Sequence, residues 1–381
     1  MSDLIIFSES FTNHIKNFQR FIYMKDEVLV LGEKEEYLCY RYYPGNNVKA
    51  KSINNALESL RKVLHGLKYS KDVSKVDFDL YVYDSSKSNA LSKKEENGYI
   101  IAISSYLLFD IIDDIVSYML NNDLRKYFYG HKLNAKKHAY KIHNYILLYI
   151  ALHENYHILN GHCDAICSIN HACVRKRTLD NEKNFFKQVL EMDADYCAVR
   201  SLIYLLIENT DKENLDTETM LIGFSLYFIL LKFQEESYEN ITTIDVNKMD
   251  HPPASIRIHY SLSIILAYLK EIMKKEHLLY LMNEVTELCV YFDRVYYDSD
   301  AIELALFAYA YTFAGQEYAK TLYNGWKMVK EKISDYAYIS LREDSNSNEK
   351  NMHFLNNDGK LLKVLNIETR VSDFWKSVLK L

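Results

Sequence analysis

Proline and glycine are scarce in this chain of 381 residues, which has only 3 prolines and 10 glycines. Flexible and semi-rigid linkers are rich in these two residues, so the composition argues against domains joined by long linkers. Both residues also interrupt helices. Their scarcity, together with the many Leu, Ile, Lys and Glu residues, predicts a mainly helical fold.

Long apolar runs and a secretory leader are also lacking. The longest apolar run, Met220–Leu231, is interrupted by Gly223 and Ser225 and is too short to span a bilayer. The N-terminus, MSDLIIFSES, has neither the basic start nor the apolar stretch of a secretory signal. We therefore expect no membrane insertion and a cytoplasmic location, where the six cysteines would be reduced thiols.

An excess of positive charge is absent as well, because the formal net charge is -6. Non-specific nucleic-acid binding depends on a basic electrostatic field. We therefore expect no nucleic-acid partner.

Hydrophobic periodicity predicts strands in the first third of the chain and helices in the rest. Val76, Phe78, Leu80 and Val82 alternate with polar or tyrosine residues, as in a half-buried strand. The predicted elements are two short strands in 27–43 around a turn at Gly32–Glu33, a helix at 52–65, strands at 76–83 and 99–103, and helices at 106–120, 139–160, 180–208 and 219–234, followed by further helices with a polar break at 343–359.

The chemistry begins with the motif His153-Glu154-Asn155-Tyr156-His157. Residues i and i+4 share one face of a helix, so both imidazoles can bind one ion. Zinc accepts neutral imidazole nitrogen, and the intervening glutamate is placed to act as a general base toward an activated water molecule. The motif predicts a zinc hydrolase with His153 and His157 as ligands and Glu154 as the base.

The residues before the motif argue against two incidental histidines on a solvated helix. The stretch 145–152 carries no charge, and a helix that is apolar on all sides is buried. Burying two imidazoles and a carboxylate without partners costs free energy. A bound metal ion removes that cost.

A catalytic zinc site needs a third protein ligand. In the metzincin pattern a histidine stands six residues after the second motif histidine, but position 163 is Cys163. Glu191 and Asp195 are the alternative, because they are four residues apart on the next predicted helix. Glu191 can bind the metal while Asp195 accepts the free N–H of a ligand histidine. The competing interpretation is an acidic surface patch, which the apolar neighbours of these residues weaken.

These motifs together resemble the soluble relatives of the CAAX prenyl protease and heat-shock membrane protease family, the minigluzincins, and also the phage-exclusion peptidases. The likeness covers about residues 52–265. It is carried by the zinc motif with His162 five residues on, by Glu191-x-x-Ala194-Asp195, by His251-Pro252-Pro253-x-x-x-Arg257-Ile258, and by Asn89–Ala90 between two strands.

The resemblance implies a fold and a division of the chain. The fold is α+β and mainly helical, with a small mixed sheet packed on a zincin active-site helix and additional C-terminal helices. It implies a gluzincin-like metallopeptidase domain at 51–265, and the rest of the chain is then expected to form an N-terminal β-rich extension at 1–50 and a helical C-terminal extension at 266–381. Tyr156 and Ser92 depart from residues common in the family, which concerns the shape of the pocket.

The resemblance also implies roles for four residues outside the metal set. His251 would donate a hydrogen bond to the oxyanion formed at the attacked carbonyl, and Arg257 would bridge acidic groups such as Asp193 or Asp195. A helix start with a solvated arginine is the competing interpretation. Asn89 and Ala90 would lie on the sheet edge beside an extended substrate, although Asn is also common in ordinary loops.

Two further hypotheses stay open at this stage. Mixed ligands in 162–173 could hold a second metal, but their spacing lacks the paired pattern of structural zinc sites, which favours buried thiols and loop histidines. The residues in question are His162, Cys163, Cys167, His171 and Cys173. The leading function is a zinc endopeptidase acting on a protein or peptide, and the alternative is a catalytically silent zinc-fold regulatory or binding protein.

Overall fold

The structure is a computed structural model of the chain. It describes residues 33–34, 37–38, 76, 78–83, 87–95, 98–120, 135–168, 180–233, 246–297 and 309–342. The predicted helix at 52–65 and the polar break at 343–359 lie outside these residues. The chain divides into two compact units, of which the first comprises 1–117, 136–176 and 332–341 and the second comprises the remainder.

The first unit contains a three-stranded mixed sheet and a two-stranded antiparallel hairpin. The sheet strands are β3 (Phe78–Tyr83), β4 (Ala90–Glu95) and β5 (Gly98–Ser104), in the order β3-β5-β4. The central strand, β5, is parallel to β3 and antiparallel to β4. Its Ile101, Ala102 and Ile103 are fully buried, so the sheet is organised around an apolar central strand.

The hairpin consists of β1 (Glu33–Lys34) and β2 (Tyr37–Leu38). The sequence predicts two short strands in 27–43 around a turn at Gly32–Glu33, and the position of that turn is wrong. Glu33 begins β1 and pairs with Leu38, so it is not part of a turn. β2 contacts β3, so among the described strands β4 forms the opposite edge of the sheet.

Helices of the first unit follow the sheet. A π-helical turn, Tyr106–Asp110, leads into α1 (Ile111–Leu120), where a single helix at 106–120 was predicted. The helix α2 (Ala135–Leu159) carries the zinc motif and begins four residues before the predicted start.

The described part of the second unit contains five long α-helices. They are α3 (Asp180–Asn209), α4 (Leu215–Phe233), α5 (Ala254–Leu269), α6 (Lys275–Tyr297) and α7 (Phe313–Ile333). The apolar α4 lies at the centre, in contact with α3, α5 and α6. Gly223 permits this packing, because a Cβ there would lie 2.6 Å from Val285 Cγ1.

The predicted mainly helical α+β class and the additional C-terminal helices are confirmed by these elements. The predicted helices 180–208 and 219–234 are found with ends shifted by a few residues. None of the described helices combines the length and apolar character that a membrane crossing requires. The predicted domain boundaries at 50 and 265 stay a prediction.

Candidate metal centre

The two motif histidines project from one face of α2 and nearly touch. Nε2 of His153 lies 3.1 Å from Nε2 of His157, and the ring centroids are 4.7 Å apart. Both side chains are buried. The i, i+4 spacing thus directs both Nε2 atoms at the same point, as the sequence predicted.

The burial of this helix is also confirmed. All residues from 146 to 160 are buried, including Glu154 at 7% exposure. A carboxylate in such surroundings is screened little by solvent and interacts strongly with any cation or proton donor that reaches it. Glu154 is therefore not a solvated surface acid.

Gly161 ends the motif helix, as predicted, and sets the position of the next turn. Its φ of +77° is in the left-handed region, and a Cβ would lie 2.6 Å from the carbonyl carbon of Tyr336. The carbonyl of Leu159 accepts a hydrogen bond from the Tyr338 N–H at 2.8 Å. A short helical segment at 162–168 follows directly.

This sharp turn brings His162 back to His157. Nδ1 of His162 lies 3.0 Å from Nδ1 of His157, on the opposite side of the ring from Nε2. A partner on that nitrogen fixes the tautomer and orientation of a ligand imidazole. The sequence motif includes His162 but does not predict its contact with His157. The spacing of five residues, with Gly161 between them, is the feature of the sequence that indicates this contact.

In the second unit, Glu191 stands on α3 with its carboxylate between two basic side chains. Oε1 lies 3.5 Å from Nε2 of His251, and Oε2 lies 3.5 Å from Nη2 of Arg257. The Glu191 side chain is 13% exposed, which excludes a freely solvated surface acid.

Asp195, one turn further on, is fully buried and paired with Arg257. Both of its carboxylate oxygens accept hydrogen bonds from the guanidinium, from Nε and from Nη2, each at 2.8 Å. The bridging role expected for Arg257 is therefore found at Asp195, and the solvated alternative is wrong because the arginine side chain is 6% exposed. The contact expected between Asp195 and a ligand imidazole stays a prediction.

His251 occupies an exposed position on the loop before α5. Its side chain is 59% exposed, and α5 begins at Ala254 after the two prolines. The loop is anchored by the buried Gln188, whose amide donates to the carbonyls of Val246 and Met249 at 2.7 and 2.6 Å. His251 is thus available to a ligand while its loop is held to α3.

Three side chains can together hold a metal ion. His153, His157 and Glu191 each offer one ligand atom, and these atoms lie within 4.8 Å of one another. Among the residues that the structure describes, no other group of three or more His, Cys, Asp or Glu side chains meets this condition. The group is the one expected from the sequence.

The cysteine-bearing segment does not add a second group of this kind within the described residues; His171 and Cys173 lie outside them. Cys163 is buried, and burial raises the pKa of its thiol to about 12 despite a hydrogen bond with Ser92. Because metal ligation requires the thiolate, this favours the expected buried thiol.

The edge strand β4 is tied to the segment that follows the motif helix. Asp164 accepts hydrogen bonds from the Lys94 ammonium and, at 2.6 Å, from the Tyr99 hydroxyl. Ser92 contributes the hydrogen bond to Cys163. These links hold β4 to the segment directly after His162.

Asn89 and Ala90, the two residues proposed for the substrate edge, differ in the direction of their main-chain hydrogen-bonding groups. Asn89 pairs with Ser104, accepting from its N–H at 3.0 Å and donating to its hydroxyl at 3.3 Å. In an antiparallel ladder, hydrogen-bonded pairs alternate with pairs whose N–H and C=O groups point away from each other. Ala90, opposite Ile103, therefore directs its main-chain groups away from β5, to the side of β4 where no described strand lies, and so does Ser92.

Comparison of the chain with protein-family models, with curated proteins and with solved structures finds no match to any of them.

Replacing Asp195 by asparagine is expected to lower zinc affinity about 10- to 100-fold, the usual effect of losing a group behind a metal ligand. Thermal stability should fall as well, since Arg257 would lose a buried charged partner. Competition with a chelator measures the affinity. Asp250→Asn is the matched control, because Asp250 is an exposed partner of Lys187. Equal zinc affinity in Asp195→Asn and wild type would contradict the prediction.

Proposed function

We propose that this protein is a zinc-dependent endopeptidase that hydrolyses an intracellular protein or peptide. The observation that carries the proposal is the convergence of His153, His157 and Glu191, with the buried Glu154 directly beside the first histidine. This is the donor set of a gluzincin site, consistent with the resemblance to the minigluzincins and phage-exclusion peptidases.

The spacing of the donors suits zinc. Two nitrogens bound at about 2.0–2.1 Å to a tetrahedral zinc ion are about 3.3 Å apart. The Nε2 atoms of His153 and His157 are 3.1 Å apart, so the pair is already close to that geometry. Two imidazoles and one carboxylate leave a fourth position for water or substrate, as in catalytic zinc sites.

Glu154, His162 and Arg257 have different roles in the proposed reaction. A zinc ion held by His153, His157 and Glu191 would supply Lewis acidity toward water and toward a carbonyl group. Glu154 accepts the proton of the attacking water and returns it to the leaving amine. His162 holds the His157 ring by its Nδ1, and Arg257 balances the charge of Asp195 beside Glu191.

His251 is proposed as the donor to the oxyanion. Its exposed ring beside Glu191 and its anchored loop leave an N–H available to a carbonyl oxygen as negative charge develops there. In this arrangement the loop, held through Gln188, determines where the ring stands.

The substrate is proposed to bind as an extended strand along β4. Main-chain hydrogen bonds to a strand at the sheet edge recognise the backbone of an extended peptide whatever its side chains are. This mode of binding suits a polypeptide substrate. The end of β4 at Ala90–Ser92 is partly buried and uncharged, whereas Lys93, Lys94 and Glu95 are exposed. Charges of this kind discourage strand addition, so we place the substrate at the Ala90 end.

Proteome-wide mapping of new N-termini tests the function directly. Cells expressing the wild-type protein should contain cleavage products that are missing from cells expressing Glu154→Gln at the same level. Identical N-termini in both, with zinc bound to both proteins, would contradict the endopeptidase proposal and favour a catalytically silent zinc protein.

Ala90→Pro is expected to lower kcat/KM for a polypeptide substrate by about 2- to 10-fold, the value of one lost hydrogen bond. Proline removes the outward N–H, and edge strands accept it at such positions without losing the ladder. Ala90→Ser keeps the N–H and serves as the control. Zinc content and melting temperature should stay near wild type in both. Equal kcat/KM for the two variants would contradict substrate binding at this edge.

A further inference from the structure

The side chain of Arg342 is 10% exposed and is enclosed by one carboxylate and three aromatic side chains. Its Nε forms an ion pair with Oδ1 of Asp193 at 2.8 Å, and its Nη1 donates to the hydroxyl of Tyr260 at 2.6 Å. The guanidinium carbon lies 4.9 Å from the ring centroid of Tyr196 and 4.5 Å from that of Trp326. These four residues, which we call the Arg342 box, form a site shaped for a guanidinium group.

The box stands on the helix that carries Glu191. Asp193 is fully buried and lies on α3 two residues beyond Glu191. Residues i and i+2 point to different sides of a helix, whereas Glu191 and Asp195 share one side. Arg257 therefore engages one face of this turn and Arg342 engages another.

The carboxylates of this turn of α3 are accompanied by arginine side chains. Three carboxylates lie within five residues of α3, and burying them without compensation costs free energy. Two guanidinium groups accompany them, from Arg257 and Arg342. Each of the two guanidinium groups thus lies against a buried carboxylate of this turn.

The features of the box go beyond those of an ordinary core contact. A lysine could balance the charge of Asp193, but only a planar guanidinium can pair with it, donate to Tyr260 and stack on aromatic faces at once. Tyr196 is on α3 itself, Tyr260 is on α5 and Trp326 is on α7. Arg342 thus joins three helices at the turn that presents Glu191.

We propose that Arg342 is a positioning residue of the metal centre, which acts through Asp193 to hold the turn of α3 that presents Glu191. The proposal rests on the zinc site proposed above. Arg342, near the C-terminal end of the described residues, would thus affect metal binding without contacting the metal.

Zinc affinity and its chemical rescue test the proposal. Arg342→Ala is expected to lower zinc affinity about 10- to 100-fold, as loss of other groups behind metal ligands does. Methylguanidinium at millimolar concentration should restore much of it by entering the vacated box, and sodium chloride at the same concentration should not. Lys187→Ala is the control, because it removes a partly exposed cation from the same helix, and it should bind zinc like wild type.

The outcomes separate this proposal from the zinc site itself. A wild-type protein that binds no zinc would overturn both. Zinc binding by wild type together with unchanged affinity in Arg342→Ala, or a loss that methylguanidinium does not relieve, would overturn the positioning role alone. If Arg342→Ala does not fold, Arg342→Gln replaces it. Its neutral amide retains part of the volume, and wild-type zinc affinity in that variant would likewise overturn the role.

Discussion

His157→Ala protein is expected to purify with little or no zinc. Structural zinc sites bind with about 10–16 kcal/mol shared among four ligands, so one ligand is worth on the order of 3 kcal/mol, or roughly a hundredfold in affinity. Glu191→Ala should have a similar effect, since Glu191 is the only carboxylate in the group formed with His153 and His157 among the described residues. Elemental analysis of the purified proteins measures the stoichiometry.

The control for the histidine is on the same helix. His143 is fully buried, its Nε2 lies 2.9 Å from the carbonyl oxygen of Leu107, and burial lowers its pKa to about 4. It lies outside the metal group, so His143→Gln should retain full zinc even if it costs stability. Glu208→Ala, an exposed change on α3, is the control for Glu191. Full zinc in His157→Ala would overturn the ligand assignment.

Glu154→Gln is expected to keep its zinc and its fold while peptide hydrolysis falls about 10²- to 10⁴-fold, the usual contribution of a general base. The amide has nearly the volume of the buried carboxyl group, so packing around α2 should be preserved. It cannot accept the proton of an attacking water. Turnover of a peptide that spans a mapped cleavage site, measured beside zinc content, gives both quantities from one preparation.

The comparison variant is Glu182→Gln, which makes the same chemical change at an exposed position of α3 and should be indistinguishable from wild type. Loss of zinc from Glu154→Gln would make Glu154 a ligand instead of a base. Undiminished turnover with full zinc would remove Glu154 from the mechanism.

Much of the fold could be predicted because long apolar helices have a strong local signal. The uncharged stretch before His153 and the apolar centre of α4 both predicted buried helices, and both are buried. Element ends were less accurate, since the start of α2 at Ala135 falls in a basic stretch that propensity alone does not separate from a loop.

The edge strand β4 shows where local pattern fails. Its sequence, ALSKKE, has no alternation of apolar and polar residues, so the local pattern predicts only a polar stretch, and the sheet edge at Asn89 and Ala90 is implied by the family resemblance alone. The segment is a strand because its backbone pairs with β5 and because Lys94 and Ser92 bond to Asp164 and Cys163, which are about 70 residues away. Contacts across such separations leave no periodic trace in the sequence.

The sequence by itself determined which residues could bind a metal. The four-residue spacings of His153 with His157, and of Glu191 with Asp195, place each pair on one helix face by the geometry of the helix alone. The uncharged residues before His153 determined that the first pair would be buried.

Only the tertiary structure decided which groups meet across the fold. It placed Arg257 on Asp195, His162 on Nδ1 of His157 and Arg342 on Asp193, and it turned the main chain of Ala90 away from β5. The physical reason is that each of these contacts depends on where a separate helix, turn or strand docks. Docking is determined by packing and burial summed over many residues, whereas a spacing motif reports only the local helix.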